Sequence, residues 1–524
     1  MNFRIYLINA VRFPFHKKKL GGLILICLFA ANFASANETP EQKQAAEVRQ
    51  LIKQAEKLTR HGDLPAAEKI LRDVVGNNPA NAAAKLALAA NLLKQRRIAE
   101  AYGLSIEIAR RDPKNSRAFA LLGASLISAG NFGDAKIALT NAVYLNNDEA
   151  LAWANLGLLD FYENRIFRGL ENLRAAVYLE PNEPDYIYSL AQVAARAELY
   201  REAADAYYRF LRIAPPADLE RRERIKGLIG FLRFLGSRQE LYHLDGAKQT
   251  IVSFQLKNDR PVIEIRLEKS GAPLNFVLDT GSGMSVLSET AARKLNIKPV
   301  AHGGSARGIG GDGKFDIVYG FLKAIYIGDV KIRNVPVYIR KFHAVNEETD
   351  GYIGLSLISK FLTTLDYGEK TFELVSKNIA DQKKPAGENL SLPLRLTSSG
   401  FLSGEVELEG IAVPLNFIVD TGASVSVISN AIAGTKEISR FIKTEKLRVI
   451  GAAGITDAVP LFLLPRITFG THSRRSINAI ALDLDLINET AGFEQAGILG
   501  GNFLKNYRLT FDFQNSKVVF TPVK

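Results

Sequence analysis

The 524-residue chain has little of what several hydrolytic chemistries need. It holds one cysteine, one tryptophan, two methionines and six histidines. The cysteine, Cys27, lies inside an N-terminal apolar run, so a chain processed after that run has no thiol for nucleophilic attack or for a disulfide. The histidines form no His-Glu-x-x-His pair, and no Gly-x-Ser-x-Gly elbow occurs, so zinc-hydrolase and serine-elbow chemistry find no support. Neither a metal nor another cofactor is expected. Hydrophobic residues at 47% and charged residues at 23% exclude a largely disordered chain and a multi-span membrane protein. The length exceeds one ordinary core and implies two or three folding units.

The formal net charge of +12 raises the question of an anionic partner. Basic clusters such as Arg221-Arg222 and Arg474-Arg475 are scattered among acidic neighbours and read as solvated faces, so nucleic acid is not expected. The N-terminus has the three parts of a secretory signal: His16-Lys17-Lys18-Lys19, the apolar run Leu20 to Phe33, and the small-residue exit Ala34-Ser35-Ala36. Residues 1–36 are therefore expected to be a signal peptide, with the mature chain starting near Asn37. An uncleaved membrane tether is the competing reading. Either places the rest of the chain outside the cytoplasm, in the periplasm or cell envelope.

A 34-residue ladder runs through the first half. Pro79, Pro113, Pro181 and Pro215 stand on it, with Asn147 on the vacant rung. Small residues keep the same spacing as Ala67, Ala101, Ala135, Gly169 and Ala203, and again as Ala89, Gly123, Gly157 and Ala191. Such positions let two antiparallel helices approach closely, while Phe119, Leu122, Leu126, Leu139, Trp153, Leu156 and Leu173 fill the space between them. This pattern resembles the tetratricopeptide repeat over about residues 48–217, in five copies. The resemblance implies an all-α superhelix with a concave surface for a peptide or protein partner; a rigid spacer is the alternative. Leu219 to Leu241 reads as a capping helix, which gives a repeat domain over 42–244.

From about Thr250 the pattern becomes alternating and β-branched. Pro273-Leu274-Asn275-Phe276-Val277-Leu278-Asp279-Thr280-Gly281 is echoed 141 residues later by Pro414-Leu415-Asn416-Phe417-Ile418-Val419-Asp420-Thr421-Gly422. A second echo matches Ile353-Gly354, Phe361, Leu365 and Asp366 with Leu499-Gly500, Tyr507, Phe511 and Asp512, now shifted by 146. Two copies of this arrangement resemble the pepsin and retropepsin-like aspartic proteases over about residues 250–524. The resemblance implies an all-β bilobal domain with lobes at 250–376 and 390–524, a linker at 377–389, and Asp279 and Asp420 as a catalytic pair. Thr280, Gly281 and Ser282 would support one turn, and Thr421, Gly422 and Ala423 the other. Threonine would hydrogen-bond across the pseudo-twofold, and glycine would permit the close approach.

Gly308, Ile309, Gly310 and Gly311 sit where such enzymes carry a flap, and Gly451 and Gly454 mark its counterpart. Neither stretch has the tyrosine of pepsin-like flaps, so the chain looks like a retropepsin dimer fused into one polypeptide, catalytically monomeric. Ser282 follows the first turn and Ala423 the second. A serine donating to Asp279 would favour its charged form, so Asp279 is expected to carry the charge, with an activity optimum less acidic than pepsin's. The reading is an aspartic endopeptidase acting on exported proteins, with the repeats recruiting substrate or regulator. A non-cleaving peptide-binding scaffold and an enzyme cutting cell-wall cross-links remain as alternatives.

Overall fold

The structure, a computed structural model, describes residues 39–238, 240–343, 349–380 and 391–523. The signal-peptide reading at 1–36 and most of the 377–389 linker lie outside them; Lys377–Ala380 is a short helix. The described residues up to Arg49 belong to one compact unit, and those from Gln50 onward to another.

Five helix pairs follow the ladder. Their second helices start at Leu64, Ile98, Phe132, Ile166 and Tyr200, 34 residues apart. The small residues do the work that their spacing implies. A Cβ on Gly123 would meet Leu139 Cγ at 2.5 Å, and one on Gly157 would meet Leu173 Cγ at 2.7 Å. Leu139 and Leu173 are fully buried in the resulting core. Asparagines or aspartate at 63, 81, 115 and 131 cap four helices by accepting a backbone N–H, which anchors each helix start. The superhelix curls tightly enough for Lys94 of the second pair to meet Asp185 of the fifth at 2.5 Å. Burial would push the Asp185 carboxyl up, but Lys94 and Arg221 on either side hold it well below the usual range.

The expected capping helix is two helices, Leu219–Ile225 and Leu228–Leu235, broken at Lys226-Gly227. The break has a cause: the Gly227 N–H donates to the Gly303 carbonyl of the β domain at 2.7 Å, a bond no continuing helix would release. Residues His243–Gly246, the first two of which the sequence assigned to the repeats, pair antiparallel with Val330–Arg340 of the first lobe.

Each lobe is built on one sheet, and the two sheets share a topology. In the first, Leu274–Leu278 pairs parallel with Gly351–Ile353, which pairs antiparallel with Val286–Ser288, which in turn lies parallel to Val330–Arg340. In the second, Leu415–Val419, Gly497–Leu499, Ser426–Ser429 and His472–Leu482 repeat this. A third, six-stranded sheet joins the lobes through the antiparallel pair Phe361–Asp366 and Tyr507–Asp512. Thr364 and Thr510, 146 residues apart, face each other in that pair with their hydroxyls 3.2 Å apart, which puts the pseudo-twofold axis between them.

The array packs directly on the lobes. The turns inside the helix pairs place a left-handed residue at 62, 96, 130, 164 and 198, again 34 apart. Four of these turns touch the β domain. Arg96 donates to the Asn488 carbonyl at 2.7 Å, the Ser128 carbonyl just before Gly130 accepts from Glu494 N–H at 2.9 Å, Asn164 donates to the Phe513 carbonyl at 2.9 Å, and Glu198 pairs with Lys360. Phe493 of the second lobe packs against the stacked rings of Phe132 and Tyr162, with ring centroids 4.9 and 5.2 Å away.

Candidate active site

Both Asp-Thr-Gly turns leave the end of a buried apolar strand and meet at the axis. The strands are Leu274–Leu278 and Leu415–Val419, whose last three residues are buried in each case. Thr280 and Thr421 lock them symmetrically. Thr280 Oγ1 donates to the Val419 carbonyl at 2.6 Å and accepts from Thr421 N–H at 3.1 Å; Thr421 Oγ1 donates to the Leu278 carbonyl at 2.7 Å and accepts from Thr280 N–H at 3.1 Å. Gly281 and Gly422 press against the opposite aspartates. A Cβ on Gly281 would lie 2.3 Å from Asp420 Cγ, and one on Gly422 2.7 Å from Asp279 Cγ, so neither position tolerates a side chain. The second echo flanks the turns: a Cβ on Gly354 would strike the Met284 backbone at 2.6 Å, and one on Gly500 the Val425 backbone at 2.7 Å.

The two carboxyls are hydrogen-bonded to one another and unequal. Burial raises Asp279 well above the ordinary carboxyl range, and the adjacent Asp420 charge raises it further. Burial also raises Asp420, but Gly422 N–H at 2.8 Å and Ala423 N–H at 3.1 Å donate to its Oδ1 and offset part of that. Asp279 Oδ1 receives the single equivalent bond from Gly281 N–H at 2.9 Å. The extra backbone donor favours negative charge on Asp420, whereas the expectation from Ser282 favoured it on Asp279. The reason is local: Ser282 Oγ turns back to donate to the Met284 carbonyl at 2.8 Å, while the Ala423 backbone supplies its side's extra donor.

The glycine-rich stretches are hairpin tips that meet above this pair. Gly308 to Gly311 lie in the turn between Ala301–Arg307 and Lys314–Ile327; Gly451 and Gly454 bound the turn between Ile442–Ile450 and Ile455–Phe469. Ala453 N–H donates to the Ile309 carbonyl at 2.9 Å, and Gly311 N–H to the Ile455 carbonyl at 3.3 Å. Beneath them lies a cavity of about 1480 Å³ that contains both aspartates and extends to the fourth and fifth helix pairs, where Phe161, Tyr188, Gln192 and Arg196 line it. Among the described residues no three His, Cys, Asp or Glu side chains gather as metal ligands.

Two arginines here went unnoticed in the sequence. Arg307, at the base of the first tip and almost fully buried, pairs with Glu220 of the first capping helix and with Glu489 of the second lobe at 3.3 Å. Arg340 lines the cavity, and its Nη1 donates to the Ala452 carbonyl of the second tip at 3.2 Å. Aligning the two sequence copies would have exposed Arg340 as a cation facing leucine in the other copy.

An aspartyl protease family model matches residues 263–357, a gag-polyprotein aspartyl protease model matches 405–506, and a tetratricopeptide repeat model matches 58–125. No curated protein matches the chain significantly. Solved structures similar to it include a thermophilic tetratricopeptide repeat protein of Thermus thermophilus, 22% identical, covering 34% of this chain and 97% of that one with a TM-score of 0.30. PilF of Pseudomonas aeruginosa is 18% identical, covering 37% and 89% with a TM-score of 0.27. MamA of Desulfovibrio magneticus is 19% identical, covering 32% and 94% with a TM-score of 0.24. The chain carries tetratricopeptide repeats at its N-terminal side and two retropepsin-like aspartyl protease domains at its C-terminal side.

Proposed function

We propose that the chain is an aspartic endopeptidase in which Asp279 and Asp420 activate one water between them. The observation that carries this reading is the pair of hydrogen-bonded, buried carboxyls held at the axis by the Thr280 and Thr421 cross-bonds. Two such groups share one proton, and their titration belongs to the pair. Asp420, stabilised by two backbone N–H groups, takes a proton from the water; Asp279 donates its own to the scissile carbonyl oxygen as the water attacks. The tetrahedral intermediate then collapses with proton return to the amine. No covalent enzyme intermediate is involved.

The meeting hairpin tips support an extended peptide bound by backbone hydrogen bonds, as an added strand. Their opening would gate entry. Because the cavity runs on to the fourth and fifth helix pairs, we assign the array the part of guiding a protein substrate or receiving a regulator beside the cleft. The signal-like N-terminus supports work outside the cytoplasm on exported proteins. The reading is tested by incubating the purified chain with an unbiased peptide library and sequencing new termini. Internal cleavage is expected, and a library left intact across the pH range would overturn it.

A further inference from the structure

The two walls of the cleft differ in chemistry at equivalent positions. Ser288 lies beside Arg340 in the parallel strand pair of the first lobe, and Ser429, its echo 141 residues on, lies beside Leu482. One wall thus carries a guanidinium where the other carries an isobutyl group. The neighbouring equivalent pairs follow suit: Phe342 stands against Leu484, and Tyr352 against Ile498. Leu482, Leu484 and Ile498 belong to one apolar cluster that faces the cavity from the second lobe.

Among the described residues Arg340 is held in place without a close ion pair, the Asp279 carboxyl of the site acting on it only through space. Its guanidinium lies 5.2, 4.8 and 5.6 Å from the ring centroids of Phe315, Phe342 and Tyr352. Nη1 donates to two carbonyls, Ala452 at 3.2 Å and Lys341 at 3.3 Å. Nε and Nη2 take no acceptor, and no carboxylate pairs with the group, among the described residues. A planar fork stacked on aromatic rings, with donors left over, matches a carboxylate in two-point geometry. Closing the hairpin tips over it would strengthen that contact by excluding water.

We propose that Arg340 is a specificity-determining residue that takes an Asp or Glu side chain of the peptide on the first-lobe side of the scissile bond, while the Leu482 wall takes an apolar side chain on the other. An apolar residue in the Arg340 subsite would leave its donors unpaired in a closed cleft, which is why rejection is strong. The proposal rests on the endopeptidase reading.

The test profiles cleavage of a peptide library by the full chain, its Arg340→Leu variant and its Arg340→Glu variant. The wild type is expected to favour Asp or Glu over Gln at one position beside the cut by about 10- to 100-fold, the worth of a charge-assisted pair. Arg340→Leu removes the preference, and Arg340→Glu reverses it towards Lys and Arg, which a merely structural role would not do. Should Arg340→Glu not fold, Arg340→Leu carries the comparison. A wild-type profile indifferent to charge beside the cut, or an acidic preference retained in Arg340→Leu, overturns the proposal. Glu347 and Glu348 lie outside the described residues; an acidic preference that emerges only in Glu347→Gln/Glu348→Gln assigns Arg340 to an internal pair and also overturns it. If the wild type cuts nothing, equilibrium binding of the same library to the Asp279→Asn chain, with and without Arg340→Leu, reads the preference directly. Acidic selectivity lost with Arg340 then upholds the inference while the endopeptidase reading falls, and charge-indifferent binding overturns the inference itself.

Discussion

Thr280 and Thr421 each accept the other's backbone N–H at 3.1 Å, and each donates its hydroxyl across the axis to the carbonyl two residues before the other. Both are buried, so no water replaces what is removed. Thr280→Val or Thr421→Val leaves a donor and an acceptor unsatisfied, at about 1–3 kcal/mol each. Denaturant melts should show either variant losing about 2–6 kcal/mol, by similar amounts, with the serine variants near wild type. A valine variant of unchanged stability would argue against the cross-bonds.

The unequal aspartates predict a pH dependence. In an unfolded chain an aspartate titrates near about 3.9, and burial raises both groups above that in the fold. The folded chain therefore binds more protons, so stability falls as pH rises through the folded values and does not return above them. Thermal melts at about pH 4 and about pH 7 should show a smaller loss for Asp279→Asn than for wild type, because the variant has one buried carboxyl fewer to ionise and its Asp420 no longer meets a second carboxyl.

For activity, both limbs of the bell shift upward, since the acid limb follows Asp420 and the alkaline limb the proton on Asp279. The optimum should lie above about pH 4. Ser282→Ala should leave the profile unmoved, because the hydroxyl bonds the Met284 carbonyl and not Asp279.

Phe493 couples the repeats to the second lobe. It is 1% exposed against Phe132 and Tyr162, and Phe493→Ala should cost about 3–5 kcal/mol. Calorimetry should resolve the single melt of the wild type into separate transitions for the helical and β regions. One undivided transition at wild-type temperature would contradict the coupling.

Much of this was legible in the sequence because it rests on repetition. The 34-residue ladder marked every helix pair, and the 141-residue echo marked both turns, since close helix approach and the meeting of two turns each demand small residues at fixed places. What stayed hidden depends on contacts between distant segments. The left-handed turns at Arg96, Gly130, Asn164 and Glu198 keep the ladder's period but share no residue type, and only docking on the lobes unites them. The echo's change of shift had a purpose that spacing alone does not reveal. Arg340 and Leu482 are equivalent at 482 − 340 = 142, and Gly351 and Gly497 at 497 − 351 = 146. The four added residues fall in the stretch holding the helix Asp485–Ala491 and Phe493, which grips the array. The Ser282 hydroxyl had two acceptors within reach of its sequence position, and its rotamer chose the one composition could not specify.

The most direct measurement compares peptide cleavage by the wild-type chain with that by Asp279→Asn and Asp420→Asn, each confirmed folded by its melting curve. The account predicts turnover by the wild type and its loss in both variants, by about a thousandfold or more, as removal of an essential acid or base would give. Cleavage that survives either substitution would contradict it.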